Sequence, residues 1–335
     1  MRLLALTVAL SLAILLAPLA AEAQQPASKQ YRIGMLITTS PASEIAGPEP
    51  RHPLFKAFVQ RMRELGYVYG QHFVTEPRSA EGKLDRLPEL AAELVRLNVD
   101  VIVTAGGDST VAAAKKVTTT IPVVMATSGD PVAEGFVASL ARPGGNITGL
   151  TIIYGPEVES KRLQLLKEAI PRISRVSFLT YSYHWKLVGH ATQERVRPLG
   201  LTLLPAEVNS PEEYADAFAA MVRQRAGAVL VPAIGPHFAL RRQIVELAAK
   251  SRLPAMYGYR EAVEAGGLMS YGVDLVENFR HAARYVDKIL KGARPADLPV
   301  EQPRKFEFVI NLRTATALGL KIPQSVLIRA DEVIQ

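Results

Sequence analysis

Short apolar strands and amphipathic helices alternate along this chain in two successive series. The break between them falls at Pro122–Tyr154, PVVMATSGDPVAEGFVASLARPGGNITGLTIIY. Val123–Met125 is an apolar run bounded by Pro122, the pattern of a buried strand. It ends in a polar turn, Thr127-Ser128-Gly129-Asp130-Pro131. A short helical pattern (Val132, Phe136, Val137, Leu140) follows and stops at Pro143-Gly144-Gly145. Ile147–Ile153 then opens a new strand-like run. Gly149–Tyr154 reads as the first connection between two lobes, with Asp130 on the lip of the first.

Before the break, the pattern predicts a strand at Tyr31–Ile37 and a helix at Pro53–Leu65 with Pro53 in its first position. A strand near His72–Thr75, a helix at Leu84–Leu97, a strand at Val99–Thr104 and a helix at Ser109–Val117 follow. With Val123–Met125 this makes four βα units, an alternation that specifies a parallel sheet covered on both faces. After the break the pattern predicts helices at Glu157–Ala169, Leu187–Val196 and Pro236–Lys250, and one opened by the capping box Ser210-Pro211-Glu212-Glu213. The strands between are Arg175–Thr180, Leu201–Ala206, Ala228–Val231, Ala255–Tyr257 and Gly267–Ser270, with a short helix at Tyr259–Ala265. The tail adds a long amphipathic helix, Asp274–Leu290, and an alternating strand, Lys305–Ile310. These are too few elements for a third domain, so they return to the two lobes. At 335 residues the chain suits two domains.

The first residues carry a separate signal. Met1-Arg2, the apolar run Leu3–Leu16, Pro18 and the small-x-small pattern Ala21-Glu22-Ala23 predict a secretory signal peptide over residues 1–23. The run is short for a membrane span of about 20 residues. No cysteine is present, which excludes disulfides, thiolate metal sites, a Cys nucleophile and a lipidated anchor. The expected protein is therefore free in the periplasm. The net charge of +7 is dispersed over predicted helix faces, so nucleic acid is not an expected partner.

In open parallel sheets ligands sit outside the carboxyl ends of the strands. In the first lobe these ends are small, hydroxylic and acidic, giving the candidates Ser40, Gly107, Asp108, Ser109, Thr110, Ser128 and Asp130, with Tyr154 at the connection. In the second they are aromatic, giving Tyr181, Tyr183, Trp185 and Tyr257 with Ile234 and Arg260. Asp108 reads equally as a helix N-cap and Asp130 as a plain turn residue; the aromatic run reads less readily as packing, because core aromatics recur at an element's period and these crowd into a turn. Gly106-Gly107-Asp108-Ser109 has neither the GxGxxG spacing of a dinucleotide site nor the GK[ST] of a phosphate loop. There is no GxSxG elbow, and the six histidines show no ligand spacing, so no catalytic residue, metal or cofactor is expected. The ligand these groups suit is a small carboxylate-bearing solute with an aromatic or bulky apolar side chain. Its carboxylate would lie at the helix start near Ser109 and its amine, if it has one, at Asp130.

Three stretches carry a resemblance to a known family: SGDPV at Ser128–Val132, ARPGGNITGL at Ala141–Leu150, and YVDKILKGARPADLPVEQPRKFEFVINLRTATALGL from Tyr285. From about Tyr31 to the C-terminus the chain resembles the ABC-transporter substrate-binding proteins of the tryptophan/tyrosine type. The resemblance implies a type I periplasmic binding fold, a ligand clamped between two lobes joined by three crossovers, and delivery to a permease. It implies an N-terminal lobe of 31–149 plus 270–299 and a C-terminal lobe of 150–269 plus 300–335. The crossovers would lie near Leu150–Ile153, Leu268–Tyr271 and Pro299–Lys305. The chain departs from the family pattern at Gly106–Ser109, where a T-P-A turn is usual, and at Tyr181-Ser182-Tyr183, where an Asn is usual.

Three functions stay open on these grounds: the solute-binding component of an importer, expected as a monomer; a periplasmic sensor for a membrane receptor; and an exported α/β hydrolase. The last needs a nucleophile with a base in reach, and none can be nominated.

Overall fold

A computed structural model describes residues 29–152, 155–303 and 305–335. The expected signal peptide and Tyr154 lie outside the described residues. The first five strands are β1 (Tyr31–Ile37), β2 (Phe73–Ser79), β3 (Val101–Ala105), β4 (Val123–Met125) and β5 (Ile147–Gly149). They form one sheet in the order β2-β1-β3-β4-β5, every pair parallel. β3 is central and buried at every position, which accounts for its continuous apolar sequence. Helices α1 (Pro53–Glu64), α2 (Leu87–Arg96) and α3 (Asp108–Val117) cover this sheet.

The second sheet takes the remaining strands: β6 (Arg175–Tyr181), β7 (Thr202–Val208), β8 (Ala228–Val231), β9 (Ala255–Tyr257), β10 (Met269–Val273), β11 (Phe306–Asn311) and β12 (Glu332–Ile334). Their order is β12-β11-β10-β9-β8-β6-β7. The helices that matter below are α4 (Pro156–Ala169), α5 (His190–Val196), α6 (Tyr214–Arg223), α7 (Gly235–Ala239), α8 (Arg241–Lys250), α9 (Arg260–Glu264) and α10 (Leu275–Leu290).

Several elements differ from the sequence reading. β2 runs on to Ser79 through Pro77, which an edge strand accommodates because its outer N–H positions need no ladder partner. The helix expected at Val132–Leu140 is a set of turns. It makes one α-helical bond, Glu134 N–H to Asp130 O; Gly135 at φ 66° then breaks the winding, and the Phe136 and Val137 N–H groups both reach back to Pro131 O. The expected aromatic turn at Tyr181–Trp185 is mostly helix: winding begins at Ser182, passes through a π-turn at Trp185–Gly189 and enters α5. The second sheet is not wholly parallel, since β10 and β11 pair antiparallel.

α10 returns to the first sheet. Asp274 caps it, accepting from the Glu277 N–H at 2.9 Å, and Leu275, Phe279, Ala282, Ala283 and Val286 are buried. Phe279 meets Phe55 of α1 edge-on, centroids 5.0 Å apart. The passage expected at Leu268–Tyr271 runs through β10, which pairs wholly within the second sheet, so the chain leaves that sheet only after Val273. The first and third passages run side by side. The Thr151 N–H donates to Glu301 O at 3.0 Å and the Glu301 N–H to Gly149 O at 2.9 Å. Asn278 at the start of α10 ties in as well, its Nδ2 donating to Ala126 O and Thr151 O at 3.3 and 3.4 Å. Three chain passages thus run between the lobes and are tied together by these hydrogen bonds. Among the described residues no helix is long and apolar enough to cross a membrane.

Candidate functional site

A doubly wound sheet reverses its strand order at one point, and the loops leaving that point diverge to leave a crevice. In the first sheet the reversal lies between β1 and β3, and in the second between β6 and β8. The loops that leave these four strands face each other. With the loops after β4 and β9 they line a cavity of about 640 Å³, with Thr38, Gly106–Ser109 and Thr127 from one lobe and Tyr181, Tyr183, Ala233–Pro236 and Tyr259 from the other.

The first wall is built around the start of α3. Gly106 and Gly107 have φ 99° and 101°, the left-handed region that favours glycine. A β-carbon on Gly106 would also strike the Thr38 side chain. The Gly106 N–H donates to Thr127 Oγ1 at 3.0 Å. Asp108 Oδ1 accepts from Ser128 Oγ at 2.6 Å and from the Gly129 N–H at 2.9 Å, which ties the loop after β3 to the loop after β4. Thr38 and Thr39 add hydroxyls to the wall.

The second wall is aromatic. Tyr181 and Tyr183 lie with ring centroids 6.1 Å apart at 44°, and Tyr183 is 61% exposed. His184 also reaches the cavity and pairs through Nδ1 with Thr180 Oγ1 at 2.9 Å. Burial, with Arg162 adding positive charge nearby, lowers its pKa to about 4, so it is neutral at ordinary pH. Behind the wall, burial lowers His237 to about 3. At the rim the cavity is bounded by Glu81–Asp85 from the loop after β2 and by Asn209 and Pro211 from the loop after β7.

Of the residues singled out from sequence, Gly107, Asp108, Ser109, Tyr181, Tyr183 and Ile234 come together on this cavity. Tyr154 is outside the described residues, and the others lie elsewhere. Ser40 lines a small adjoining space of about 50 Å³ beside His52 and Phe238. Thr110 is buried behind the wall and donates to Gly107 O at 2.8 Å, and Ser128 is buried under Asp108. Asp130 accepts from the Val132 and Ala133 N–H groups at 3.2 and 3.0 Å, closing its own turn. Trp185 packs edge-on against Phe178, centroids 5.6 Å apart, because helical winding from Ser182 turns it away from Tyr183. Tyr257 is buried in the second-lobe core, against a separate apolar space of about 190 Å³. Arg260 pairs with Glu264, Glu307 and Glu332 at 3.0, 2.8 and 2.6 Å.

Thr38, Thr39, Thr127 and Tyr259 fall in the strand-end stretches that the sequence marks (37–40, 126–131 and 257–260) without being singled out there, whereas Asn209 and the 81–85 loop lie outside every such stretch. A strand β2 drawn to Ser79 puts that loop at a carboxyl end, so its signal was there to be read. No group of His, Asp or Glu among the described residues has the geometry to hold a metal ion.

Relatives share this architecture. A structure from Vibrio cholerae, described as a conserved domain protein, superposes with a TM-score of 0.80 at 23% identity, covering 91% of this chain and 100% of that one. The ABC domain from Streptococcus pneumonia in complex with L-Trp superposes with a TM-score of 0.79 at 26% identity, again over 91% and 100%. A tyrosine-binding protein of Clostridioides difficile (strain R20291) is 22% identical over 268 residues, 79% of this chain and 76% of its own length. The fold is that of the type I periplasmic binding proteins. Residues 51–334 match the model of the ABC transporter substrate binding proteins, and the chain belongs to that family.

Proposed function

We propose that this chain captures an aromatic amino acid or a close aromatic analogue outside the inner membrane and hands it to the permease of an ABC importer. The observation that carries the reading is the pairing of walls across one cavity: hydroxyls and a helix start on one side, three tyrosines on the other. In this reading the solute's ring lies on Tyr181 and Tyr183, where each ring pair adds about 0.5–1.5 kcal/mol beyond burial. Its carboxylate meets the first N–H groups of α3 and the Ser109 hydroxyl, where unpaired donors and the positive end of the helix dipole favour an anion. Its amine lies at Asp108, which lines the cavity, whereas Asp130 is engaged in its own turn. A relative that binds L-Trp and another named for tyrosine support the aromatic class. Export rests on the leader pattern of residues 1–23, and release from a lipid tether on the absence of a cysteine to carry one.

Calorimetry tests the site. L-Tryptophan or L-tyrosine should bind, and Asp108→Asn should weaken binding tenfold or more, about 1.4 kcal/mol, while Asp130→Asn leaves it unchanged. An aromatic acid without the amine should be indifferent to Asp108→Asn. Loss of affinity in Asp130→Asn alone would return the amine to that residue. Mass spectrometry of the periplasmic protein tests export and should find an N-terminus at or within two residues of Gln24.

A further inference from the structure

A separate cavity lies in the second lobe and shares no lining residue with the cleft. It opens where the end of α8 passes the helix Leu312–Ala317. Its volume is about 190 Å³, somewhat more than the roughly 150 Å³ of an apolar cavity that takes up benzene. Val245, Ala248, Leu253 and Leu268 are buried along its floor, and Ala249, Arg252 and Ala317 are exposed at its mouth.

Two polar side chains on this wall have no partner. Tyr257 is 2% exposed, and its ring lies against Gly267, where a β-carbon would stand 2.6 Å from it. Its hydroxyl makes no hydrogen bond among the described residues. Burial alone raises its pKa, with no neighbouring charge or hydrogen bond contributing. Arg252 belongs to no ion pair, and no acidic residue lines the space, among the described residues. The backbone along the wall is already engaged. The Gly266 and Gly267 N–H groups donate to Val263 O and Ala262 O at 3.0 and 2.8 Å, and Thr314 Oγ1 donates to Gly266 O at 2.8 Å.

A phenol buried without a partner costs free energy that a hydrogen-bond acceptor would recover. Water fills that place poorly, since a buried water needs roughly three polar neighbours and this floor offers the phenol alone. An acceptor on an apolar body satisfies the wall as a whole. Negative charge suits it further, because Arg252 is unopposed at the mouth and a carboxylate only accepts.

We propose that this cavity is a second ligand site, for a small monocarboxylate with an apolar body of about six carbons. The body lies on Val245, Leu253 and Leu268, and the carboxylate accepts from the Tyr257 hydroxyl and faces the Arg252 guanidinium. The site stands whether or not the cleft takes an aromatic amino acid.

NMR titration of the isotope-labelled protein with hexanoate, hexan-1-ol and hexylamine tests it. Hexanoate should shift the amide signals of Gly266, Gly267 and Leu268 saturably and leave those of Gly107, Asp108 and Ser109 in place. Arg252→Gln, at an exposed position, should weaken hexanoate about fivefold, the upper range for an exposed ion pair, and hexan-1-ol by less than about twofold. Tyr257→Phe should weaken hexanoate about tenfold. It should not lower the melting temperature of the free protein, because the hydroxyl has no bond to lose. Ala317→Trp, at the exposed mouth, should block hexanoate. Shifts confined to Gly107–Ser109, or no saturable shift at all, overturn the site. Hexylamine binding as tightly as hexanoate, or undiminished hexanoate binding by Arg252→Gln, overturns the anionic class. Full hexanoate affinity in Tyr257→Phe overturns the role of the phenol, and full affinity in Ala317→Trp overturns the location.

Discussion

The Gly106 carbonyl and Gly235 meet across the cleft with no room for a side chain between them. Gly106 belongs to the loop that begins α3, and Gly235 begins α7, so two backbones that line the cavity are also where the lobes touch. Gly235→Ala places its methyl group against the Gly106 oxygen and should prop the lobes apart. We expect solute affinity to fall about tenfold and small-angle scattering to show a larger radius in the presence of solute. The melting temperature should hardly move, since the substitution adds a favourable helix former. An unaltered affinity would mean that the lobes close elsewhere.

Tyr183 and Trp185 lie two residues apart and should part company in experiment. Tyr183 is 61% exposed on the cavity, so Tyr183→Ala should change stability by no more than about 0.5 kcal/mol. It should weaken aromatic solutes by about 0.5–1.5 kcal/mol. Trp185 packs on Phe178 and against Gly189, where any side chain would strike the indole ring. Trp185→Ala should cost about 3 kcal/mol of stability, the low end for such truncations because the residue is half-buried. Denaturant unfolding and calorimetry on both variants separate the roles.

Arg260 holds the C-terminal strand rather than facing the cavity. Its guanidinium bridges Glu264 in its own helix, Glu307 in β11 and Glu332 in the edge strand β12. Arg260→Ala should lower stability by about 1 kcal/mol, the upper range for partly exposed pairs. It should also speed amide exchange in β12, with no change in solute affinity.

Acid should destabilise the protein before its ordinary carboxylates titrate. Burial lowers the pKa of His52, His184 and His237 from 6.5 to about 4, about 4 and about 3. Each is neutral when folded and gains a proton on unfolding once the pH is below 6.5. The stability they contribute is full above that pH and is lost as the pH falls towards 4, by up to about 1.4 kcal/mol per pH unit for each group. Glu261 has the opposite sign. Burial raises it to about 7, so its contribution is full below its unfolded value of 4.5 and is lost as the pH rises through 7. Two histidines' worth of slope therefore remains between pH 6.5 and 4.5. Melting temperatures should fall across that window, less steeply in His237→Phe and more steeply in Glu261→Gln. A flat profile would mean that these histidines are protonated in the folded protein.

The alternation of strands and helices, the return of the tail and the position of the cavity at strand carboxyl ends were all legible in the sequence. Strand and helix periods record which side chains meet the core and which meet water, and β3 and α10 show that record plainly. Where backbone chemistry fixes a loop, as at Gly106-Gly107, the sequence also names the wall it builds. Tertiary structure decided which way the polar and aromatic groups face. Asp108 and Asp130 both follow a strand and both precede a turn or helix. Only packing aims Asp108 at the cavity and folds Asp130 onto its own N–H groups. Tyr183 and Trp185 share a run of five residues, and the helix that starts at Ser182 sends one to the cleft and the other to Phe178. Periodicity carries no information about such directions, because a side chain at a lobe interface and one in a core leave water equally well, and only the partner across the gap tells them apart.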